Sequence, residues 1–333
     1  MKQGLPKIGL FILSALIVLC LAELLFRFFA DSGSELSAEK IWETQRANLR
    51  KAYKNVRTEI GGITFREEKT GEEIFDAPYI RILFLGDSFT IGAGIRDHQD
   101  RFSEIAEARL NQELAGAESP RRVHIFNAGK AGSNPRLWDT YFKVVEPVYK
   151  PHFVYAIFFL RNGTRLGTSL AHQKEIIDPI REKYWNMPLY NLSAMVRFFY
   201  HRLAWREYTM QFKEILTSSY LGSPDERAVW REQQQALLGI SRACQEKNIS
   251  FHLVIFPILF NLKDYEFHEV EKEIQAFAEN HDIPVFPLTP GFLGENDRTL
   301  WVASNDQHPN EKGHRIAAET LLPYLRTMLP QLK

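Results

Sequence analysis

The sequence predicts an α/β protein built on a doubly wound parallel sheet, with an inserted helical subdomain and an apolar helix near the amino terminus. Three observations support this prediction. Five short apolar runs are bounded by turn residues, helical patterns lie between them, and one long apolar segment comes before all of them. Near-continuous apolar runs are typical of strands that are covered by helices on both faces of a parallel sheet.

The predicted strands come in chain order, with amphipathic helical patterns between and after them. They are Ile80–Leu85, Val123–Phe126, Phe153–Leu160, Phe251–Phe256 and Ile283–Phe286. One gap is too long for a simple crossover, and we expect a helical insertion there, at about residues 165–245. Its aromatic residues could line a substrate cleft, but we favour the alternative that they form the insertion's own core and pack it on the sheet. They are Tyr184, Trp185, Phe198, Phe199, Tyr200, Trp205, Tyr208 and Trp230.

The amino-terminal segment, residues 8–29, is apolar except for Glu23 and Arg27. As a helix it would be about 33 Å long at 1.5 Å per residue, which is enough to span a bilayer. Glu23 and Arg27 are four residues apart, so they can pair on one helix face. We therefore expect a membrane anchor here.

The charges on either side of this segment predict its orientation. Lys2 and Lys7 precede it and acidic residues follow it, so the positive-inside rule places the amino terminus in the cytoplasm and the rest outside. This predicts a single-pass protein of the cytoplasmic membrane with a periplasmic or extracellular domain. A cleaved signal peptide is the alternative, because Cys20-Leu21-Ala22 is a passable cleavage site.

The predicted organisation has three parts. Residues 1–30 form the tail and the membrane helix, residues 31–78 form a stalk with edge elements, and residues 79–333 form the catalytic domain with its insertion. The stalk is polar, and GGITF with Phe75 suggests short edge strands.

Composition excludes several classes of protein. The chain has 333 residues, with 41 Lys and Arg balanced by 41 Asp and Glu, so no net field favours a nucleic acid partner. A hydrophobic fraction of 45% can form a large core and excludes disorder over most of the chain. The two cysteines do not indicate a compartment.

Ser88 is the first candidate for chemistry. The strand Ile80–Leu85 ends in Gly86-Asp87-Ser88, and ligands of open parallel sheets bind outside the carboxyl ends of the strands. A serine at this point is placed as a nucleophile would be. Alone, Gly-Asp-Ser is a weak signal, and a plain helix cap would explain it equally well.

Asp306 and His308 are the second candidates. A serine hydroxyl needs a base to take its proton, and imidazole serves best when a carboxylate fixes its tautomer and supports the imidazolium. One loop supplies both groups, and Asn310 and an amphipathic helix follow it. A lone histidine at a helix start would more often be structural.

Two further strand ends could supply an oxyanion hole, which needs preorganised N–H donors. The second strand is followed by Asn127-Ala128-Gly129-Lys130-Ala131-Gly132, and a glycine lets a backbone N–H approach a ligand closely. The third strand is followed by Arg161-Asn162-Gly163, which offers a side-chain amide at the same sheet edge.

Taken together, these four blocks resemble the SGNH, or GDSL, hydrolase family of serine esterases and acyltransferases, from about Ile80 to Leu329. The resemblance implies a flavodoxin-like, five-stranded α/β/α sandwich, with Ser88 as nucleophile and His308 as general base. It implies an oxyanion hole formed by the N–H groups of Ser88 and Gly132 and by Asn162. A single membrane helix before such a domain looks like membrane-tethered bacterial members.

Two departures from the family pattern affect these assignments. Many members have the acid three residues before the histidine, where Asn305 stands here, whereas Asp306 is two before it, a spacing that other members use. We assign the acid to Asp306. The third block often reads Gly-Asn-Asp, but here it reads Arg161-Asn162-Gly163, so the local turn can differ while the amide remains.

The sequence therefore predicts a serine esterase that acts on an ester, such as an O-acetyl group of a small molecule, lipid or glycan, outside the membrane. An O-acyltransferase for a cell-envelope polysaccharide would use the same residues. The alternative from a different class is a non-catalytic glycan-binding envelope protein. No cofactor or metal is expected, since no zinc, metalloprotease or Walker motif occurs.

Overall fold

The structure is a computed structural model that describes residues 4–29, 35–52, 56–67, 79–117, 121–166 and 170–327. The chain divides into two compact units. One consists of residues 1–40 and 170–214, and the other of residues 41–169 and 215–333.

The helices of the described residues are α1 (Gly4–Phe29), α2 (Ala38–Ala52), α3 (Ser88–Ile91), α4 (Phe102–Gly116), α5 (Pro135–Tyr149), α6 (Leu170–Trp185), α7 (Ala194–Leu221), α8 (Ala228–Glu246), α9 (His268–Glu279), α10 (Thr289–Phe292) and α11 (Glu311–Arg326). The strands are β1 (Thr58–Ile60), β2 (Ile63–Phe65), β3 (Tyr79–Gly86), β4 (Arg122–Asn127), β5 (Phe153–Phe159), β6 (Ser250–Phe256), β7 (Val285–Pro287), β8 (Trp301–Ala303) and β9 (Asp306–Pro309). Short 3-10 helices cover His98–Asp100, Leu160–Gly163 and Asp297–Leu300.

The central sheet has five parallel strands in the order β4-β3-β5-β6-β7. This order is that of a flavodoxin-like doubly wound fold, in which the chain moves outward from one strand first to one side and then to the other. The prediction of fold class is confirmed. Because ligands bind where the direction reverses, the ends of β3, β4 and β5 mark the crevice.

The core of the unit formed by residues 41–169 and 215–333 surrounds the central strands. Every residue of β5 is buried, as expected for a strand with both faces covered. Phe84 on β3 packs between the ring of Phe102, stacked at 5.6 Å, and the ring of Tyr155, edge-on at 5.6 Å. Trp230 of α8, which lies in the predicted insertion, is buried and lies 5.6 Å from Phe158, so it packs against the sheet.

The segment predicted as a stalk contains a helix that the sequence analysis did not foresee, α2. It also contains the antiparallel hairpin β1-β2, in which Phe65 packs edge-on against Phe126 at 5.6 Å. Phe75 lies outside the described residues, and the division into three parts stays a prediction.

In the unit formed by residues 1–40 and 170–214, α1 contains a stretch, Ile8–Phe28, that is long and apolar enough to cross a membrane. Its large side chains are exposed, with Phe11 at 74%. Glu23 and Arg27 pair at 2.9 Å, as their spacing predicts. Glu23 also accepts hydrogen bonds from the Ser193 hydroxyl at 2.7 Å and the Ala194 N–H at 2.7 Å, so it caps α7.

Aromatic packing also forms the core of this unit, in the predicted insertion. Trp185 stacks on His201 with ring centroids 4.9 Å apart and on Tyr190 at 5.1 Å. Phe198 of α7 packs against Phe26 of α1 at 5.1 Å. These contacts are those expected if the insertion's aromatic residues form its own core.

Candidate active site

Ser88 occupies the first position of α3, directly after β3. Asp87 caps this short helix, since its Oδ1 accepts the N–H of Phe89 at 2.9 Å. Gly86 lets the Thr90 side chain pack close to the end of β3, because a Cβ there would lie 1.9 Å from the hydroxyl oxygen of Thr90. Ser88 is 8% exposed, and its N–H, as the first of a helix, has no intrahelical acceptor.

Asp306 and His308 lie on β9, and they share one face of the strand because side chains two residues apart point the same way. Asp306 Oδ1 is 2.5 Å from His308 Nδ1. A carboxylate can only accept here, so Nδ1 carries the proton and Nε2 remains an acceptor. This strand geometry explains how a spacing of two residues can join the acid to the base.

Asp306 receives a further hydrogen bond from outside its own loop. The Asn48 amide on α2 donates to Asp306 Oδ2 at 2.7 Å. Burial alone would raise the pKa of the Asp306 carboxyl, but the bonds from His308 and Asn48 outweigh it, and the pKa lies below its ordinary value. Asp306 is therefore held ionised beside the imidazole, although it is only 1% exposed.

Gly132 lies in the loop between β4 and α5, with φ at +74°, a backbone conformation that favours glycine. Nothing lies within 4 Å of the place that a Cβ would take, so conformation and not crowding calls for glycine here. The loop is held against α3 by Asn127, whose amide donates to the Thr90 carbonyl at 2.7 Å.

Asn162 lies in the 3-10 turn that follows β5. Its side-chain oxygen accepts the Phe159 N–H at 2.8 Å, and its amide donates to Asp87 Oδ2 at 3.0 Å and, more weakly, to the Ser133 carbonyl at 3.4 Å. Tyr220 of α7 fixes this turn, because its hydroxyl donates to the Leu160 carbonyl and accepts the Gly163 N–H.

Asp87 links these two loops. Both of its carboxylate oxygens accept hydrogen bonds, one from Phe89 and one from Asn162. Its pKa is raised above the ordinary value, because burial outweighs those bonds and the nearby positive charges.

The structure brings the predicted site residues together around one cavity of about 370 Å³. Ser88, Gly132, Asn162 and His308 line it, and Asp306 lies behind His308. In the part of the chain that the structure describes, no hydrogen bond of 3.5 Å or less joins the Ser88 hydroxyl to His308. Such contacts are often longer in free enzymes and close with substrate.

The cavity also has lining residues that the sequence analysis did not single out. Trp42, Gln45, Arg46 and Leu49 come from α2, and Arg161 and Leu166 flank Asn162. The spacing of the four α2 residues is that of one helix face, and this is the only signal in the sequence that could have indicated them. Within the described ranges, no group of three His, Cys, Asp or Glu residues is arranged to hold a metal ion.

Comparison with protein families decides the assignment. The model of the GDSL-like lipase/acylhydrolase family matches residues 84–316, more than half of the chain. The chain belongs to this family. It is an SGNH-type serine hydrolase, as the four sequence blocks predict.

A comparison with solved structures finds several similar chains. A two-domain esterase active on acetylated mannans has 12% identity and a TM-score of 0.45, over 77% of this chain and 52% of that one. This chain thus spans about half the length of that esterase. TesA has 14% identity and a TM-score of 0.45, over 75% of this chain and 99% of its own.

An acetyl xylan esterase, AlAXEase, has 14% identity and a TM-score of 0.42, over 74% of this chain and all of that one. A comparison with curated proteins finds no match. Membership of the family establishes ester hydrolysis in general terms, and the role of each residue remains a prediction.

Proposed function

We propose that this SGNH hydrolase is a serine esterase that cleaves its substrate through an acyl-enzyme on Ser88. The observation that carries this proposal is the Asp306–His308 pair at 2.5 Å, with His308 and Ser88 lining one cavity. Few structural roles require a buried carboxylate, an imidazole and a serine to meet at the end of a parallel sheet.

In the proposed mechanism, the Ser88 hydroxyl oxygen attacks the ester carbonyl carbon while His308 Nε2 takes the hydroxyl proton. Asp306 holds the ring in the tautomer that leaves Nε2 free and supports the positive charge that forms. Collapse of the tetrahedral intermediate breaks the ester C–O bond, and His308 returns the proton to the leaving alkoxide. Water then attacks the acyl-enzyme, with the same proton movements, and releases the acid.

The negative oxygen of the intermediate needs donors that are already in place. Among the hydrogen bonds of the described residues, none engages the N–H of Ser88 or of Gly132, so both are available. The Asn162 amide keeps its bond to Asp87 and gives up the weaker bond to Ser133 as it reaches the oxyanion. These three donors form the proposed oxyanion hole.

The proposed location is the outer side of the cytoplasmic membrane, with the segment at residues 8–29 as the anchor. The exposure of its large apolar side chains supports this, because water is an unfavourable surrounding for a continuous apolar helix surface. In that location the natural substrates are esters of the cell envelope, such as O-acetyl groups of its polysaccharides.

The test is the turnover of 4-nitrophenyl acetate by Ser88→Ala, with Ser304→Ala, an exposed serine near Asp306, as the matched control. Ser88→Ala should fold normally by circular dichroism and lose turnover by a factor of about 10⁴. Ser304→Ala should keep it. Equal turnover by wild type and Ser88→Ala would show that the proposed nucleophile is wrong.

A further inference from the structure

Two arginines line the catalytic cavity, Arg46 on α2 and Arg161 on the turn that carries Asn162. They belong to different segments of the chain, so their presence at one cavity depends on the fold and not on a basic run in the sequence. Arg46 is exposed and Arg161 is half-buried, so both guanidinium groups are open to a ligand from solvent.

Neither guanidinium forms an ion pair with a carboxylate of the described residues. Within the residues that the structure describes, no carboxylate lies within 4.0 Å of either one, whereas other arginines such as Arg326 pair closely with acids. Among the described residues that line the cavity, the single carboxylate is Asp87, which is buried, has both oxygens occupied by hydrogen bonds and interacts electrostatically with Arg161. The cavity therefore has an excess of positive charge in a chain with no net charge.

The α2 face beside Arg46 supplies a second kind of contact. Trp42 and Leu49 lie three to four residues from Arg46 in sequence, on the same helix face, and both line the cavity. A tryptophan offers a broad apolar surface with little conformational freedom to lose. Such a wall suits a ring-shaped ligand group, with a charged substituent directed at the arginines.

We propose that the cavity binds esters whose alcohol part is a ring that carries an anionic oxygen group, a carboxylate or a phosphate. The planar guanidinium presents paired N–H donors that match either group, and charge-assisted bonds of this kind are among the strongest in proteins. Arg46 and Arg161 would then determine specificity, since they bind a part of the substrate that does not react. This inference rests on the proposed esterase function, because it places the anion beside Ser88.

The test compares the binding of three methyl glycosides that differ at one position. Methyl glucoside is neutral, methyl glucuronide carries a carboxylate in place of the hydroxymethyl group, and methyl glucoside 6-phosphate carries a phosphate. Affinity is measured by isothermal titration calorimetry, which requires no turnover. Hydrolysis of 4-nitrophenyl acetate is measured separately, so that failure of the esterase function is seen independently.

The wild type should bind at least one of the anionic glycosides about tenfold more tightly than the glucoside, a difference of about 1.4 kcal/mol. The tighter of the two anions shows which group the site accepts. The ratio of the two affinities, anionic glycoside over glucoside, should fall towards one in the double variant Arg46→Gln/Arg161→Gln. It should be unchanged in Arg315→Gln, since Arg315 is an exposed arginine of α11 outside the cavity.

Equal binding of all three glycosides by the wild type would overturn the inference, and so would a preference that survives in the double variant. If the double variant does not fold, Arg46→Gln alone, on an exposed helix surface, should still lower the ratio. If the wild type did not hydrolyse 4-nitrophenyl acetate, the result would instead count against the esterase function.

Discussion

Asn48 is the residue outside the predicted site whose loss should affect catalysis most directly. Its amide donates to Asp306 Oδ2 at 2.7 Å, on the opposite side of the carboxylate from His308. Asn48→Ala removes this donor and leaves a buried carboxylate with one partner fewer. Asp306 should then be less firmly oriented, and its pKa should rise towards that of a buried acid.

The size of the effect follows from the type of bond. A hydrogen bond to a charged group is worth about 1.5–3 kcal/mol, which corresponds to roughly 10–150-fold in rate if the whole bond supports the transition state. Asp306 keeps its bond to His308, so we expect the lower end of this range. The kcat of Asn48→Ala should fall about tenfold, with little change in KM, because Asn48 acts through Asp306 and not on the substrate.

The assay is steady-state hydrolysis of 4-nitrophenyl acetate, together with the downfield NMR resonance of the His308 Nδ1 proton. Asn48→Asp should be more damaging than Asn48→Ala, because a second carboxylate would face Asp306. The control is Asn305→Ala, which removes an exposed amide that bonds to Thr44. If Asn48→Ala changed neither kcat nor the proton resonance, the positioning role of Asn48 would be refuted.

Three other predictions concern the triad, the core and the anchor. Asp306→Asn should reduce kcat/KM less than His308→Ala if the carboxylate only orients the ring; the reverse order in steady-state kinetics would contradict this. Burial, together with cationic neighbours, lowers the pKa of His314 to about 3. As the pH falls below 6.5, the imidazole of His314 is therefore protonated in the unfolded chain and not in the folded one. Urea titrations of the wild type should therefore show that the free energy of unfolding falls by about 2 kcal/mol between pH 6.5 and 5, and His314→Gln should lack this fall. The same pH dependence in both proteins would exclude a contribution of His314. Deletion of residues 1–22 should release a soluble protein that keeps Glu23 as the cap of α7. Deletion of residues 1–30 also removes this cap and should lower the free energy of unfolding by about 1 kcal/mol. Equal melting temperatures of the two deletion variants would contradict the capping role.

Much of the site could be predicted because its parts follow local rules. Ser88, Gly132 and Asn162 each lie within five residues of the end of a strand, and the carboxyl ends of parallel strands meet at one edge of a sheet. Asp306 and His308 are two residues apart, so a strand places them on one face without any long-range contact. Five apolar runs were enough to predict the sheet, since most residues of β3, β4, β5 and β6 are buried and therefore apolar.

The rest depends on contacts between distant segments that leave no periodic signal. Asn48 and Asp306 are 258 positions apart, and Asn48 lies in a polar stretch that the sequence analysis interpreted as a stalk. Tyr220 fixes the turn that carries Asn162 from the end of α7, 57 positions after Gly163. A hydrogen bond of this kind is determined by packing of the whole fold, which neither hydropathy nor motif spacing reports.

The central claim, that Ser88 is an activated nucleophile, is tested most directly by its reaction with a fluorophosphonate. The full-length protein is treated in detergent with the probe, digested, and the modified peptide sequenced by mass spectrometry. The account predicts one phosphonylated residue, Ser88, and loss of labelling in His308→Ala. Labelling of another serine, or none at Ser88 in the folded protein, would contradict it.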